Sequence, residues 1–257
     1  MKKAAILFCL LVTLAVVTQA QNHAFKAGER ITYTVYYNVI GLYVNAGTAT
    51  FTTSKSMYNN HEVFHVVGEG VTNSRYDWIF KVRDRYESYF RTDDFKPLKF
   101  IRNVNEGGYK KYEVVTFNHD ENVAITNKGV RPVPDQVQDV ISFLYYARSI
   151  DFDNYKKGDK ITFNMFLGEK VYHMYVRYMG RETVTTKYGK FKALALKPLL
   201  LEGNAFAGGE DMTMWITDDP NHLPVRIESP ISVGKIKVDL MHFTDIKYPL
   251  TSLIKRL

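Results

Sequence analysis

The side chains that could do chemistry are few and widely spaced. His61 and His65 lie four apart, so on a strand they share a face and could hold a metal ion. No third ligand stands at a completing distance, and Glu62 points to the other face. Asp93-Asp94 and Asp218-Asp219 are paired acids, each followed by proline within three residues. A glycosidase needs two carboxylates converging across roughly 5–9 Å, whereas strand neighbours face opposite ways, so both pairs read as turns. The Asp218, Asp219 and Asn221 cluster lacks the spacing of a calcium loop. Arg83-Asp84-Arg85 with Glu87 reads as cross-strand ion pairs, or as an arginine pair facing a phosphate or carboxylate head group. There is no Gly-x-Ser-x-Gly elbow, and no Ser-x-x-Lys followed by the partners of a penicillin-recognising site. Glycines 203, 208 and 209 do not follow a strand-to-helix transition, so they make no phosphate loop. We expect no catalytic residue, no metal and no cofactor, and a non-enzymatic role ahead of an enzymatic one.

The chain that must position these groups opens with an export leader. Lys2 and Lys3 precede the apolar run Ala4 to Val17, and Thr18-Gln19-Ala20 supplies small residues for cleavage before Gln21. That run is about 14 residues, short of the roughly 20 that cross a bilayer as a helix. Cys9 lies inside the run rather than after it, which argues against a lipid anchor. With residues 1–20 removed, the remainder has no cysteine, so neither disulfides nor a thiol nucleophile can serve it. The expected location is the periplasm of a Gram-negative-type envelope, with outer-membrane association or secretion as variants. The full chain carries a net charge of +7, dispersed in pairs such as Lys110-Lys111 and Lys156-Lys157. This excludes a nucleic-acid tract and leaves room for peripheral contact with an anionic membrane.

Strand signals dominate the chain beyond the leader. Ile31, Tyr33, Val35, Tyr37 and Val39 alternate with polar or smaller neighbours, the period of a half-buried strand. Lys96 to Val104 and Tyr109 to Phe117 flank Gly107-Gly108 as a hairpin, and further strand pairs meet at Gly168-Glu169 and Lys187 to Gly189. Asn73 to Phe80 could hold a helical turn. One amphipathic helix is expected over about 137–149: Val137, Val140, Ile141, Leu144, Tyr145 and Arg148 share a face. Asp135 is the expected cap, with Gln138 completing a capping box. Lys235 to Phe243 is the last secure strand. The fold class is therefore mainly β: a strongly curved antiparallel sheet, or a half-open β-barrel, with one principal helix covering the concave face. Residues 21–257 read as one domain; a division into two subdomains would fall near 128–136.

Four segments taken in order resemble the exported bacterial domain-of-unknown-function family 3108. They are Gly28 to Tyr33 with the Gly41 to Gly47 hairpin, Asp139 to Arg148, Tyr188 to Ala193, and Trp215 to Asp219 running on to Leu223 to Ile227. The last segment is also similar to the tryptophan hairpin of periplasmic lipoprotein carriers, half-open barrels that shelter acyl chains. The family resemblance implies a fold and an exported setting rather than an activity.

Three functional readings suit this pattern. The first is a carrier with an apolar concavity for a lipid-like ligand. The second is an envelope-assembly module that offers a strand edge or an aromatic rim to another envelope protein. The third is a hydrolase of envelope polymers, which needs two or more of Asp84, Glu87, His61, His65, Asp218 and Asp219 in one pocket. The aromatic fraction, 14% with 18 tyrosines, suits sheet packing or a cavity lined with amphipathic rings. The ligand-binding residues expected from periodicity are Tyr33, Tyr37, Trp78, Leu144, Phe206 and Trp215, with Arg83 and Arg148 as polar anchors.

Overall fold

The computed structural model describes residues 24–39, 41–202, 207–231 and 234–257. The leader expected at 1–20 and Phe206 lie outside the described residues. The first half is a meander of β1 (Arg30–Val39), β2 (Leu42–Tyr58), β3 (His61–Thr72), β4 (Arg83–Arg91), β5 (Pro97–Glu106), β6 (Tyr109–Asn118), β7 (Val123–Thr126) and β8 (Gly129–Pro132). The second half holds β9 (Val137–Gln138), the helix α1 (Val140–Arg148), β10 (Lys160–Leu167), β11 (Lys170–Thr185) and β12 (Gly189–Pro198). It continues with β13 (Leu200–Glu202), β14 (Ala207–Gly209), β15 (Thr213–Thr217), β16 (Pro224–Pro230), β17 (Lys235–Thr244) and β18 (Leu253–Arg256).

All but β13 and β14 form one sheet. β1 pairs antiparallel with β17, so the halves grow outward from a central seam and end at β8 and β9. β18 branches onto β12, and β9 pairs parallel with β10. The two ends do not pair, yet only residues 133–136 connect them, a span of at most about 18 Å. A sheet this wide can meet that limit only by curling. Side chains bridge the gap: Thr126 Oγ1 donates to Glu169 Oε2 at 2.9 Å, Arg131 pairs with Glu169 at 3.3 Å, and the Phe117 and Phe166 rings meet at 6.0 Å. The result is a strongly curved, non-closed sheet, as the alternating pattern implied.

Aromatic side chains and α1 fill the inside of the first half. Phe25, Phe64, Phe90, Phe95 and Phe100 are fully buried, and the Phe25 ring meets Phe64 at 4.9 Å and Tyr145 at 4.6 Å. Glycine makes room for the helix: a Cβ on Gly68 would come within 2.9 Å of the Phe51 ring and 3.6 Å of Ile141 Cδ1. The helix is shorter than expected and starts later, because Val137 and Gln138 are taken up as β9. Its cap is Asp139 rather than Asp135. Asp139 Oδ1 accepts from the backbone N–H groups of Ile141 and Ser142, each at 2.8 Å, and Ser142 Oγ accepts from the Asp139 N–H at 2.9 Å. Asp135 instead pairs with Lys96. β18 was not foreseen, and Asn73 caps a single 3₁₀ turn at Ser74–Tyr76.

Candidate functional site

In an antiparallel meander successive connections alternate between the two ends of the sheet. One rim carries the β1–β2, β3–β4, β5–β6, β7–β8, β10–β11, β12–β15 and β16–β17 connections. The interior between the rims is full on the β4 side, where α1 packs against β4, β9 and β10. The opposite flank of the helix leaves a slot of about 50 Å³. Phe143, Leu144 and Ala147 line it from α1, with Val176, Leu196, Met214 and Ile216 across from them. Cross-strand register explains the convergence: Leu194 faces Ile216 and Leu196 faces Met214, and directly opposed residues share a face.

Beneath the slot lies a buried ion pair. Arg148 Nη1 and Nη2 donate to Glu29 Oε1 and Oε2 at 2.6 and 2.9 Å, and its Nε donates to the Asn221 carbonyl at 3.2 Å. The guanidinium also sits over the rings of Phe25 (5.4 Å) and Tyr145 (5.3 Å). Burial by itself would weaken its charged form, but Glu29 outweighs that and holds the Arg148 pKa above its ordinary value. Burial pushes the neighbouring Tyr33 phenol well up, against the pull of Arg148. Arg148 therefore ties the helix to Glu29, just ahead of β1, and to the β15–β16 turn. It has no free face for a head group.

The residues expected to line one pocket are dispersed. Leu144 and Arg148 border the slot, and Tyr33 is buried beside Arg148. Tyr37 lies at the rim near Gly234, whose Cβ would come within 3.3 Å of its ring. Trp215 stands between Met214 and Ile216, so strand alternation turns it to the opposite face, where its Nε1 donates to Glu182. Trp78 is 83% exposed on the rim loop between β3 and β4. Arg83 is committed to Asp77 (2.6 Å) and Thr72 (3.1 Å) rather than to a ligand. Sequence reasoning missed Glu29 because nothing in Gly28-Glu29-Arg30 distinguishes a buried carboxylate from an exposed one.

The hydrolase candidates meet in two places, and in both they are engaged by other protein groups. His65 Nε2 meets Glu87 Oε2 at 2.9 Å, but on the sheet surface, with the histidine stacked on Tyr89 at 4.0 Å. Asp218 and Asp219 share a larger polar hollow of about 240 Å³ with Asp151, Asp153, Arg181 and His222. Four carboxylates face one guanidinium there, but each is already hydrogen-bonded within the protein: Asp151 accepts from the Asp153 N–H (3.1 Å) and Asn154 Nδ2 (3.0 Å), and Asp153 pairs with Arg181. Asp218 pairs with Arg181 at 3.1 Å. Asp219 accepts from Thr217 Oγ1 at 3.0 Å and from the N–H groups of Asn221 (3.0 Å) and Ser252 (3.1 Å). His222 Nδ1 lies 2.6 Å from the Arg148 carbonyl, and burial lowers its pKa. The hollow is a stapled turn, and the apolar slot is the better candidate for a ligand.

A family model described as "Protein of unknown function (DUF3108)" matches residues 32–241. The chain belongs to the DUF3108 family. No curated protein matches it. Among solved structures, it is similar to a β-barrel-like protein of the domain of unknown function DUF1849 from Brucella abortus. The TM-score is 0.57 at 10% identity, covering 87% of this chain and 100% of that one. A protein of Parabacteroides distasonis gives a TM-score of 0.38 at 11% identity over 86% of this chain and 98% of its own. A DUF1089 family protein of Pseudomonas aeruginosa gives 0.32 at 10% identity, over 68% and 87%. The Brucella structure shares the barrel-like fold of this DUF3108 chain and carries no further inference about activity.

Proposed function

We propose that this DUF3108 protein is an exported, non-enzymatic carrier that binds an apolar, lipid-like ligand between α1 and the β11–β12–β15–β16 part of the sheet. The observation that carries the reading is the slot itself, walled by Phe143, Leu144 and Ala147 of the helix on one side and by aliphatic side chains and Met214 of the sheet on the other. At about 50 Å³ it is far below the roughly 300–1,000 Å³ of ligand pockets, so binding requires the helix flank to separate from β12 and β15. The separation would have to come from Leu144 and Ala147 parting from Leu196, Met214 and Ile216 while Arg148 keeps the end of α1 on Glu29 and the Asn221 carbonyl. The leader, the dispersed basic charge and the similarity to lipoprotein carriers support the exported setting.

The test is native mass spectrometry of protein purified from its own envelope, followed by organic extraction. It is paired with displacement of a fluorescent fatty acid from the wild type and from an Ala147→Leu variant, which fills the slot. The reading expects a lipid-like adduct and weaker probe binding by the variant at unchanged far-UV circular dichroism. A bare mass together with equal probe behaviour in the two proteins would sink it.

A further inference from the structure

Turns at the two rims differ in chemistry. One rim turns on polar residues: Asn59-Asn60, Asp93-Asp94, Asp120-Glu121-Asn122 and Asp218-Asp219. Hairpin tips ordinarily look like this, since Asn and Asp tolerate the required backbone and solvate the turn. The other rim departs from this on one side only, since its β7–β8 and β10–β11 tips still turn on Asn127-Lys128 and Gly168-Glu169. Its β3–β4 loop presents Trp78, Ile79 and Phe80 in succession, at 83, 63 and 53% exposure, and its β1–β2 tip presents Leu42 at 73%. Tyr109 at the β5–β6 tip is 52% exposed.

The β3–β4 loop is held to the hairpins on either side of it. The Asn73 N–H donates to the Ala46 carbonyl at 2.8 Å, joining the β3–β4 loop to the start of β2. The Gly107 N–H donates to the Lys81 carbonyl at 2.8 Å, and the Phe80 ring lies over Gly107, where a Cβ would clash at 2.2 Å. The loop is thus braced from both sides with Trp78 and Ile79 pointing off the end of the sheet. Three adjacent apolar residues in a loop cannot be buried by strand or helix periodicity, so their exposure answers to a partner outside the fold.

The charge around the tips narrows the partner. Arg75, Lys81, Lys110, Lys128 and Lys235 are exposed on the same rim, while Asp77 is neutralised by Arg83 and Glu169 by Arg131. Two acids, Asp84 and Glu106, also lie at the foot of the β3–β4 loop, hydrogen-bonded to each other. Glu202 and Asp211 lie farther along in the β12–β15 connection, so the aromatic side keeps a positive excess rather than a purely basic surround. Separate protruding side chains in such a surround suit a fluid surface better than a complementary protein groove. A tryptophan ring is also at home at the depth of lipid head groups.

We propose that this rim is a membrane-docking face, with Trp78, Ile79, Phe80 and Leu42 entering the head-group region of an anionic bilayer and the rim lysines facing its phosphates. This goes beyond the carrier reading and does not depend on whether the slot binds a ligand. The experiment uses the chain from residue 21 with Trp215→Phe, which leaves Trp78 as the sole tryptophan. Vesicles of phosphatidylcholine with and without phosphatidylglycerol are added at low and physiological salt. The proposal expects a blue shift of Trp78 emission, quenching by brominated acyl chains, and binding that weakens as salt rises. Ile79→Ser with Leu42→Ser should weaken partition by about tenfold or more, since both are exposed and their loss removes apolar area from the contact. Met57→Ser with Ile254→Ser, exposed apolar residues away from this rim, should leave partition unchanged. Failure of the Trp215→Phe protein to bind anionic vesicles at low salt, or equal loss in both double variants, would overturn it. So would a concentration-dependent dimer that the Ile79→Ser, Leu42→Ser variant abolishes, because the rim would then be covered by a second copy.

Discussion

Asp139 should make the protein less stable as pH rises through the mildly acidic range. The carboxyl is fully buried, and burial pushes its pKa from 3.8 up to about 6, against the lowering effect of Ser88 and of the Ser142 and Ile141 N–H groups. Ser88 Oγ donates to Asp139 Oδ2 at 2.6 Å. An acid with a raised folded-state pKa binds its proton more tightly in the native state. Its stabilising contribution is complete below the unfolded value near 4 and is lost as pH climbs through about 6. Two pKa units at about 1.4 kcal/mol each give about 3 kcal/mol lost between pH 4 and pH 7. Asp139→Asn keeps an oxygen to accept from Ile141 and Ser142 but cannot ionise. Urea denaturation of wild type and variant, followed by circular dichroism from pH 4 to 7.5, isolates this group, because other titrations cancel in the difference. The variant should gain about 3 kcal/mol relative to wild type across that interval. A flat difference would refute the reasoning, and a slope of opposite sign would mean that the N–H donors outweigh desolvation.

Glu29→Gln leaves the Arg148 guanidinium buried without its counter-charge and should cost about 3–5 kcal/mol, whereas Glu29→Leu with Arg148→Met should recover most of that; thermal denaturation reports both. Gly68→Ala forces a Cβ to within 2.9 Å of the Phe51 ring and should destabilise by about 1–3 kcal/mol, with no loss if the ring can turn aside freely. Glu106, raised from 4.5 to about 7 first by burial and then by its hydrogen bond with Asp84, should likewise lose its stabilising contribution as pH rises between those two values. Glu106→Gln should flatten the slope of melting temperature between pH 5 and 7, and an unchanged slope would rule this out.

Local pattern carried most of the strands. The alternation from Ile31 to Val39 is β1, and the Gly107-Gly108 turn joins β5 to β6 where expected. What stayed hidden is non-local. Val137 and Gln138 fit a helical face as well as a strand, and only the neighbouring β10 decides between them. The cap moved to Asp139 for the same reason. At the site, Leu144 and Arg148 were legible because helix periodicity points them inward. The role expected of Arg148 as a head-group anchor was not, since its Glu29 partner comes from the other end of the chain. Trp78 was expected to line a pocket because an aromatic residue in a β-rich stretch looks the same whether it turns inward or caps a rim. The run Trp78-Ile79-Phe80 was the available signal, as no single face can hide three consecutive side chains.

The pairing of β1 with β17 also sets the order in which the molecule can be made. Arg30 faces Thr244 across that seam, so during synthesis the first strand has one neighbour at once and the other only when nearly the whole chain has emerged. Until then β1 offers its open backbone to any extended segment nearby, and the closing step joins residues of very high sequence separation. A slow final phase in refolding, and sensitivity to helper proteins that shield strand edges, are the consequences of that one contact.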